Sequence, residues 1–504
     1  MVDERLYFIR GAYIRDAIEE LAKNGNAYFS SEEIFAACKP RVAFRQFQAD
    51  LLYLMQTGQV VREGRRLYLR HTLRYENFAS QKLAEILADN HAAPVEHPSP
   101  MMYRDIALNA EQQEAVLMAE SHRISLILGG AGSGKTTLIN VLGRAPLETV
   151  LAAPTGKAAR NLHERTGLTC RTIHSALGKI PDEDFLDPVR WETVEMVIVD
   201  EASMVSLEML SGLLNRMNPR CRLVLLGDPY QLPAVGSGNV ILDLLALGVP
   251  SLTLKQQYRQ GEQETALRYN VTQFHSIPDA AGLHYDNTFQ FWKTDESAIC
   301  ETVCAEAAKR YLAGETVQII APTKAEVRKL NQQMQSMVNP PAKDIPDILY
   351  HGETLRENDR VTILVNDRDQ NCSNGDLGTL HISDDPYSEY KLLTAETADR
   401  RTPTFLSCGR EQKLALAYAM TVHKSQGSQY DTVIMPLSIH SRMLTRNLLY
   451  TAISRSSKQL ILVGSDASLS TAMQTLPQER RSMLIAKTHQ IPMNIVKTVF
   501  QIGL

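Results

Sequence analysis

Apolar runs of about four residues recur along this chain between longer segments patterned as helices. One cluster comprises Ser125–Leu128, Val150–Ala153, Met196–Val199 and Leu223–Leu226; a second comprises Val317–Ile320, Thr432–Met435 and Leu460–Val463. Runs so short and so fully apolar suit parallel strands covered on both faces. Their alternation with helical segments predicts an α/β protein, and the two clusters predict two sheets. Within the second cluster, residues 345 to 412 turn polar and turn-rich, with NGDLG at 374–378 and DDPYSEY at 384–390. That stretch reads as an inserted small β domain.

The first hundred residues follow a different pattern. Helical periodicity over Ile14–Ala22 and Ser31–Ala37, the latter behind a capping Ser30, is followed by Phe44–Gln56. A short pair, Val60-Val61 and Leu67-Tyr68-Leu69, then flanks a turn at Glu63-Gly64. Three helices and a hairpin in this order predict a winged helix. Arg62, Arg65, Arg66, Arg70 and Arg74 crowd the hairpin against one acid, Glu63; they form either a solvated cluster or a phosphate-contacting wing. The Pro-rich AAPVEHPSPMMY, 92–103, marks a linker.

A chain of 504 residues exceeds one ordinary core, so several domains are expected. No apolar run reaches the roughly 18 residues that cross a bilayer. The N-terminal MVDERLYFIRGAY lacks the apolar stretch of a secretory signal, which predicts a cytoplasmic location. The 7 cysteines form no CxxC pair, and Cys300 and Cys304, one turn apart, suit core packing better than metal ligation. With a net charge of −4, any surface that binds nucleic acid must be local.

Chemistry enters with GGAGSGKTT, Gly129 to Thr137, which follows the run SLIL and precedes a helical pattern. That context fits a phosphate loop. Its glycines let backbone N–H groups wrap phosphates, and the helix N-terminus adds partial positive charge. Lys135 is placed to reach the β- and γ-phosphates, and the Thr136 hydroxyl to bind Mg²⁺. Asp200 and Glu201 end the run Met196–Val199; the first can hold Mg²⁺ and the second can orient or deprotonate the attacking water. Gly227-Asp228-Pro229-Tyr230-Gln231 follows the run Leu223–Leu226, where Gln231 can contact a γ-phosphate.

In this order and spacing the motifs resemble those of superfamily 1 helicases, within them the RecD-like group that moves 5′ to 3′. The resemblance also covers LNAEQQEAV (108–116), APTGKAAR (153–160), TIH (172–174), QQYRQ (256–260), APT (321–323), TVHKSQGSQYD (421–431) and LLYTAISRS (448–456). It implies that ATP is bound by Gln112, which reads adenine, and by Gly130, Ala131, Gly132, Ser133, Gly134, Lys135, Thr136 and Thr137. It implies Mg²⁺ on Thr136 and Asp200, catalysis by Lys135, Glu201 and Gln231, and two arginines, Arg259 and Arg455, reaching the γ-phosphate from a second domain. Single-stranded DNA would be touched by Thr155, Lys157, His174, Thr323, Thr421, His423, Lys424 and Gln426.

The architecture expected is α/β. A winged-helix-like domain over 1–100 precedes two RecA-like P-loop domains, over 101–257 and 258–504, the second with a small β-barrel near 345–412. Function is expected to be ATP-dependent 5′-to-3′ translocation on single-stranded DNA and unwinding at duplex junctions, by a monomeric motor with room for a recruiting protein. The sequence departs from the family pattern at Tyr230, where relatives usually carry Asp, and at Ser454 and Ser456. Relatives also place a strand-separating pin where this chain has only Ser175 to Glu195, with the acidic PDEDFLD. That shortness keeps open a DNA-stimulated ATPase that translocates or remodels without unwinding. A non-stepping, ATP-switched binding module is the third reading.

Overall fold

The computed structural model describes residues 10–39, 42–104, 106–178, 188–256, 265–367, 369–441 and 443–490. Arg259 and the PDEDFLD segment, 181–187, lie outside the described residues.

The N-terminal unit consists of helices Ala12–Ala22, Ser31–Cys38 and Phe44–Gln56, then an antiparallel hairpin of β1 (Val60–Glu63) and β2 (Arg66–Leu69). Ser30 and Glu33 form a reciprocal capping box that starts the second helix. Ile14, Ile18, Phe29, Ile34, Phe47, Leu54, Val60 and Leu67 make a core of their own. The next helix, Arg70–Ala88, leaves that core: Ala79, Leu83 and Ile86 are buried with the first parallel sheet. The Pro-rich stretch expected to be a linker is tied down along that sheet. Ala92 N–H donates to the Ser121 carbonyl at 2.9 Å, and Ser99 N–H to the Glu120 carboxylate at 2.7 Å. A minimal pair, β3 (Met102–Tyr103) and β4 (Ile106–Ala107), precedes the sheet.

The first sheet contains β5 (Ile124–Leu128), β6 (Thr149–Ala153), β7 (Cys170–Thr172), β8 (Met196–Val199), β9 (Arg222–Gly227) and β10 (Ser251–Thr253). All pair in parallel, in the order β10-β5-β9-β8-β6-β7. The second sheet begins with β11 (Phe289–Lys293) and β12 (Val317–Ala321). A helix, Lys324–Val338, then leads into an insertion: the hairpin β13 (Asp347–Tyr350) and β14 (Glu353–Arg356), followed by β15 (Arg360–Ile363), β16 (Leu377–Asp384), β17 (Lys391–Thr397), β18 (Thr404–Leu406) and β19 (Leu414–Leu416). The last five form an antiparallel sheet with β18 and β19 at its edges. The chain re-enters the second sheet through β20 (Ala419–Thr421), β21 (Tyr430–Leu437) and β22 (Ser456–Gly464), giving the parallel order β11-β22-β21-β12-β20. Two parallel sheets flanked by helices make the α/β architecture that the apolar runs predict. Among the described residues, no helix is long and apolar enough to cross a membrane.

The C-terminal segment returns to the first half. Helix Leu484–Gln490 packs on Arg70–Ala88, with Leu484 fully buried. The fully buried Glu76 accepts the Met483 N–H at 2.7 Å and pairs with Lys487 at 3.0 Å. Arg480 donates to the carbonyls of Gly236 and Gly238, just past the GDPYQLP motif.

Candidate nucleotide cleft and nucleic-acid groove

Parallel strands deliver ligands to their carboxyl ends. In the first sheet β5, β9 and β8 are neighbours, so residues 129–137, 227–231 and 200–201 emerge side by side. The phosphate loop turns through Gly132 and Gly134, at φ 85° and 88°, where a Cβ would strain the backbone. Helix Lys135–Leu142 starts immediately after, so its free N–H groups face the loop. Lys135 Nζ donates to the Gly129 and Gly130 carbonyls at 2.5 and 2.8 Å, and Ser133 Oγ to Gly130 at 2.9 Å.

These residues line a cleft of about 230 Å³. Its walls bring together Ala131, Gly132, Ser133, Gly134, Lys135, Thr136, Asp200, Glu201 and Gln231 from the first half with Arg455 from the second. Gly130 contributes carbonyl contacts to the loop, and Thr137 continues the helix. Gln112 lies apart from the cleft wall, buried at a helix start; its carbonyl oxygen accepts the Asn109 N–H at 3.2 Å. Arg165, Asp228, Gly427, Ser428 and Gln429 also line the cleft; Arg165 stands in no motif, and the others lie inside motifs that assign them no role of their own.

Electrostatics shape this cleft. Burial, reinforced by Glu201 beside it, pushes the Asp200 carboxyl up to about 6, with Lys135 pulling the other way. Such a carboxylate gains from a cation. With the Thr136 hydroxyl on the same wall, the donors are hard oxygens, which suit Mg²⁺. Glu201 sits at φ 51°, a left-handed conformation uncommon outside glycine and found where local structure enforces it. The chain turns at Glu201, so that both acids of the pair reach the cleft. Gly227 permits the adjoining motif to approach: a Cβ there would lie 3.1 Å from the Ser203 nitrogen and 2.7 Å from Ile241.

Arg455 is 4% exposed and makes only neutral contacts, with Thr451, Ser454 and Ser428. No carboxylate pairs with it among the described residues. The charge of Asp228 in the same cleft acts on it without pairing with it, and a buried guanidinium so placed favours an arriving anion. Gln231, 5% exposed, has no hydrogen-bond partner for its side-chain oxygen among the described residues.

The two halves are latched beside this cleft. Tyr450 donates to Asp228 at 2.7 Å, and Leu232 N–H donates to the Thr451 hydroxyl at 2.8 Å. Burial raises the Asp228 carboxyl, and Lys135 with the Tyr450 hydroxyl opposes that rise. Tyr230 stacks on His275 of the second half at 3.4 Å between ring centroids, and His275 meets Tyr450 edge-on at 4.5 Å. Burial lowers the His275 imidazole to about 4, so the ring stacks uncharged. Tyr230, the position that departs from the family pattern, thus joins the loop that carries Gln231 to the second half. Stacked pairs contribute about 0.5–1.5 kcal/mol, so Tyr230→Ala is expected to lower maximal ATP turnover about 2- to 10-fold with little change in KM. Steady-state kinetics of Tyr230→Ala beside Tyr230→Phe, which keeps the ring and is expected to stay near wild type, check this.

A second concavity, of about 270 Å³, lies across the two halves and the insertion. It gathers Thr155, Lys157, His174, His423, Lys424 and Gln426 from the expected nucleic-acid set, and adds Asn366, Asn374 and Gly375. An internal echo explains the arrangement. In the first half β6 ends in Ala153-Pro154-Thr155 and its neighbour β7 in Thr172-Ile173-His174; in the second, β12 ends in Ala321-Pro322-Thr323 and its neighbour β20 in Thr421-Val422-His423. Each of the four threonines caps the helix it starts, accepting a backbone N–H at 3.0–3.3 Å. Thr323 also donates its hydroxyl to Glu326 at 2.7 Å, and Thr323 and Thr421 lie outside the concavity's lining.

Gln426 is buried and donates to the Leu232 carbonyl at 2.8 Å, connecting the groove to the Tyr230–Gln231 loop. Lys157 donates to the Gly375 carbonyl at 2.9 Å, and Arg160 pairs with the insertion's Asp376. Burial brings the Lys157 ammonium down to about 8. Its charge is therefore complete well below pH 8 and lost as pH rises through that value. Affinity for single-stranded DNA at fixed salt is expected to fall between pH 7 and 9, and Lys157→Arg to flatten that fall. Fluorescence anisotropy with a labelled oligonucleotide measures both.

Comparison with known proteins now places the chain. A family model described as an AAA domain matches residues 107–281, and one described as a UvrD-like helicase C-terminal domain matches 416–463. The RecBCD enzyme subunit RecD of Mycolicibacterium smegmatis is 30% identical over 418 residues, covering 72% of this chain and 72% of that protein. This chain belongs to the RecD-like helicases of superfamily 1. The ATP-dependent RecD2 DNA helicase of Deinococcus radiodurans is 31% identical over 446 residues, covering 84% of this chain. The chain spans 59% of that relative's length. A solved structure of Pif1 helicases at forked duplex DNA aligns over 74% of this chain and 95% of its own, with 23% identity and a TM-score of 0.49.

Proposed function

We propose that this RecD-like chain is an ATP-dependent motor that moves 5′ to 3′ on single-stranded DNA and opens duplex junctions. The observation that carries the proposal is Arg455: a buried cation with no carboxylate paired to it among the described residues, contributed by the second half to the cleft that holds the first half's phosphate loop. In this reading ATP binds between the halves, with Mg²⁺ on Thr136 and Asp200 offsetting phosphate charge. Glu201 takes a proton from water as the water oxygen bonds to the γ-phosphorus and the bond to the ADP oxygen breaks. Lys135, Gln231, Arg455 and Arg259 stabilise the charge developing on the phosphoryl oxygens. Gln112 is assigned to adenine through the free face of its amide.

Hydrolysis becomes motion because completing the cleft requires the halves to close. The Gln426–Leu232 bond ties the DNA-facing groove to the loop that carries Gln231. Thr155, Lys157, His174, Thr323, Thr421, His423 and Lys424 are proposed to hold the strand through hydroxyl, ammonium, imidazole and backbone N–H groups. DNA is favoured as the track by the RecD2 relative, whose name specifies a DNA helicase. One chain supplies both cleft walls, which supports a monomeric motor. We read the N-terminal unit as winged-helix-like and the 347–416 insertion as a small β-barrel. The short 175–195 segment favours, as second reading, a translocase that does not unwind.

Tailed duplexes test the proposal. Strand displacement from a 5′ overhang and not from a 3′ overhang is expected; displacement only from a 3′ overhang contradicts the polarity. DNA-stimulated turnover without displacement from either end selects the second reading.

A further inference from the structure

The arginines of the N-terminal hairpin lie outside both the cleft and the groove. Arg62, Arg65, Arg70 and Arg74 are exposed, and none of them forms an ion pair among the described residues. Their one acidic neighbour in the hairpin, Glu63, is already engaged by Lys487 at 2.9 Å. Four like charges without local compensation therefore face solvent on a protein whose net charge is −4. The scaffold beneath them is fixed. Arg62 Nε donates to the Gly64 carbonyl at 2.7 Å across the turn, and Arg66 lies 5.3 Å over the Tyr28 ring, holding the hairpin to the helical core. Arg70 and Arg74 fall one turn apart at the start of helix Arg70–Ala88, so they share a face. That helix has no acid in its first turn and no side-chain cap, which adds the positive end of its dipole to the same surface.

We propose that this hairpin and helix start form a second nucleic-acid site, one that grips the phosphate backbone of duplex DNA. Guanidinium groups suit phosphate oxygens. Single-strand sites pair such cations with aromatic platforms for bases. This site offers little such platform: Tyr68, the hairpin's ring, is fully buried, Tyr75 at the helix start is half-buried with its hydroxyl donating to Glu208, and His71 beside it is the one exposed ring. The site recognises charge and shape without reading sequence. It holds duplex near the motor while the groove takes the single strand. The packing of helix Arg70–Ala88 into the first half's core, and of the C-terminal helix upon it, makes this surface a rigid extension of the first half.

The test is binding of a blunt-ended duplex to the full chain, followed by fluorescence anisotropy over a salt series. The combined variant Arg62→Ala, Arg65→Ala, Arg70→Ala, Arg74→Ala is expected to lose affinity at low salt by on the order of 100-fold. The slope of log K against log salt should shrink by about 3.6, since each of the four phosphate contacts contributes about 0.9. The corresponding four-lysine variant keeps most of the binding, and turnover stimulated by short single strands stays within about twofold in both variants. That stimulation reports on the groove, so failure of the duplex site is distinguishable from failure of the motor. Duplex affinity unchanged in the alanine variant, equal losses in the lysine and alanine variants, or no binding of blunt duplex by the wild type would each overturn the proposal.

Discussion

Arg455→Ala is expected to lower DNA-stimulated ATP turnover by about 10³-fold or more, the scale of an arginine that completes a phosphoryl-transfer site from across a cleft. KM for ATP should change far less, because the guanidinium acts on charge that develops during transfer. The buried setting makes this arginine effective: it is 4% exposed and held by carbonyls and hydroxyls, with no carboxylate paired to it among the described residues. Its hydrogen bonds are to neutral carbonyl and hydroxyl groups, worth about 1 kcal/mol each, so the fold should survive its removal. Stopped-flow phosphate release with saturating single-stranded DNA, beside a thermal melt, checks both parts. A turnover loss below tenfold would remove Arg455 from the chemistry. Arg455→Lys should recover little, since an ammonium lacks the planar fork that meets two phosphate oxygens.

Lys135→Ala is the second large effect. Loss of one charged donor aimed at the transferring group costs about 10²–10³ in rate. Here Lys135 also bonds the Gly129 and Gly130 carbonyls, so its removal frees the loop at its entry. Neutral bonds of this kind are worth about 1 kcal/mol each, too little to unfold the half that carries them. Turnover is therefore expected to fall at least about 100-fold, with retained binding of single-stranded DNA as evidence that the fold persists. Coincident loss of turnover and DNA binding would instead indicate a structural lysine.

The sequence made the sheets legible unevenly, and burial explains the unevenness. Strands β5, β6, β8, β9, β12, β21 and β22 lie inside the two sheets, and each carries a mostly apolar run, interrupted by buried Ser125 in β5 and buried Gln318 in β12. The strands that no run disclosed, β7, β10, β11 and β20, are the four sheet edges. Edge strands are half exposed, so Cys170–Thr172 and Ser251–Thr253 carry polar residues that look like loop. The C-terminal return is hidden for another reason. Residues 480–490 dock through Arg480, Lys487 and Leu484 onto partners some 250 to 400 positions earlier, which leave no local period.

The cleft was more legible than the groove. Lys135, Thr136, Asp200, Glu201 and Gln231 sit in motifs whose chemistry depends on neighbours in sequence, and they line one cleft together with Arg455. Asp228, Arg165 and Tyr450 were missed because their significance comes from tertiary approach. Tyr450 reaches Asp228 from 222 residues away. Thr155, Thr323 and Thr421 each cap a helix start, and a threonine in that place is compatible with the proposed DNA contact because the helix N–H groups lie beside it.

The central claim is that hydrolysis drives stepping along a strand, and the measurement that tests it most directly is ATP turnover as a function of single-strand length. A stepping motor spends more of its time on a longer track, so turnover at saturating DNA should rise with length before reaching a plateau. Stimulation that is equal at every length able to fill the groove, or no stimulation by DNA at all, would contradict it.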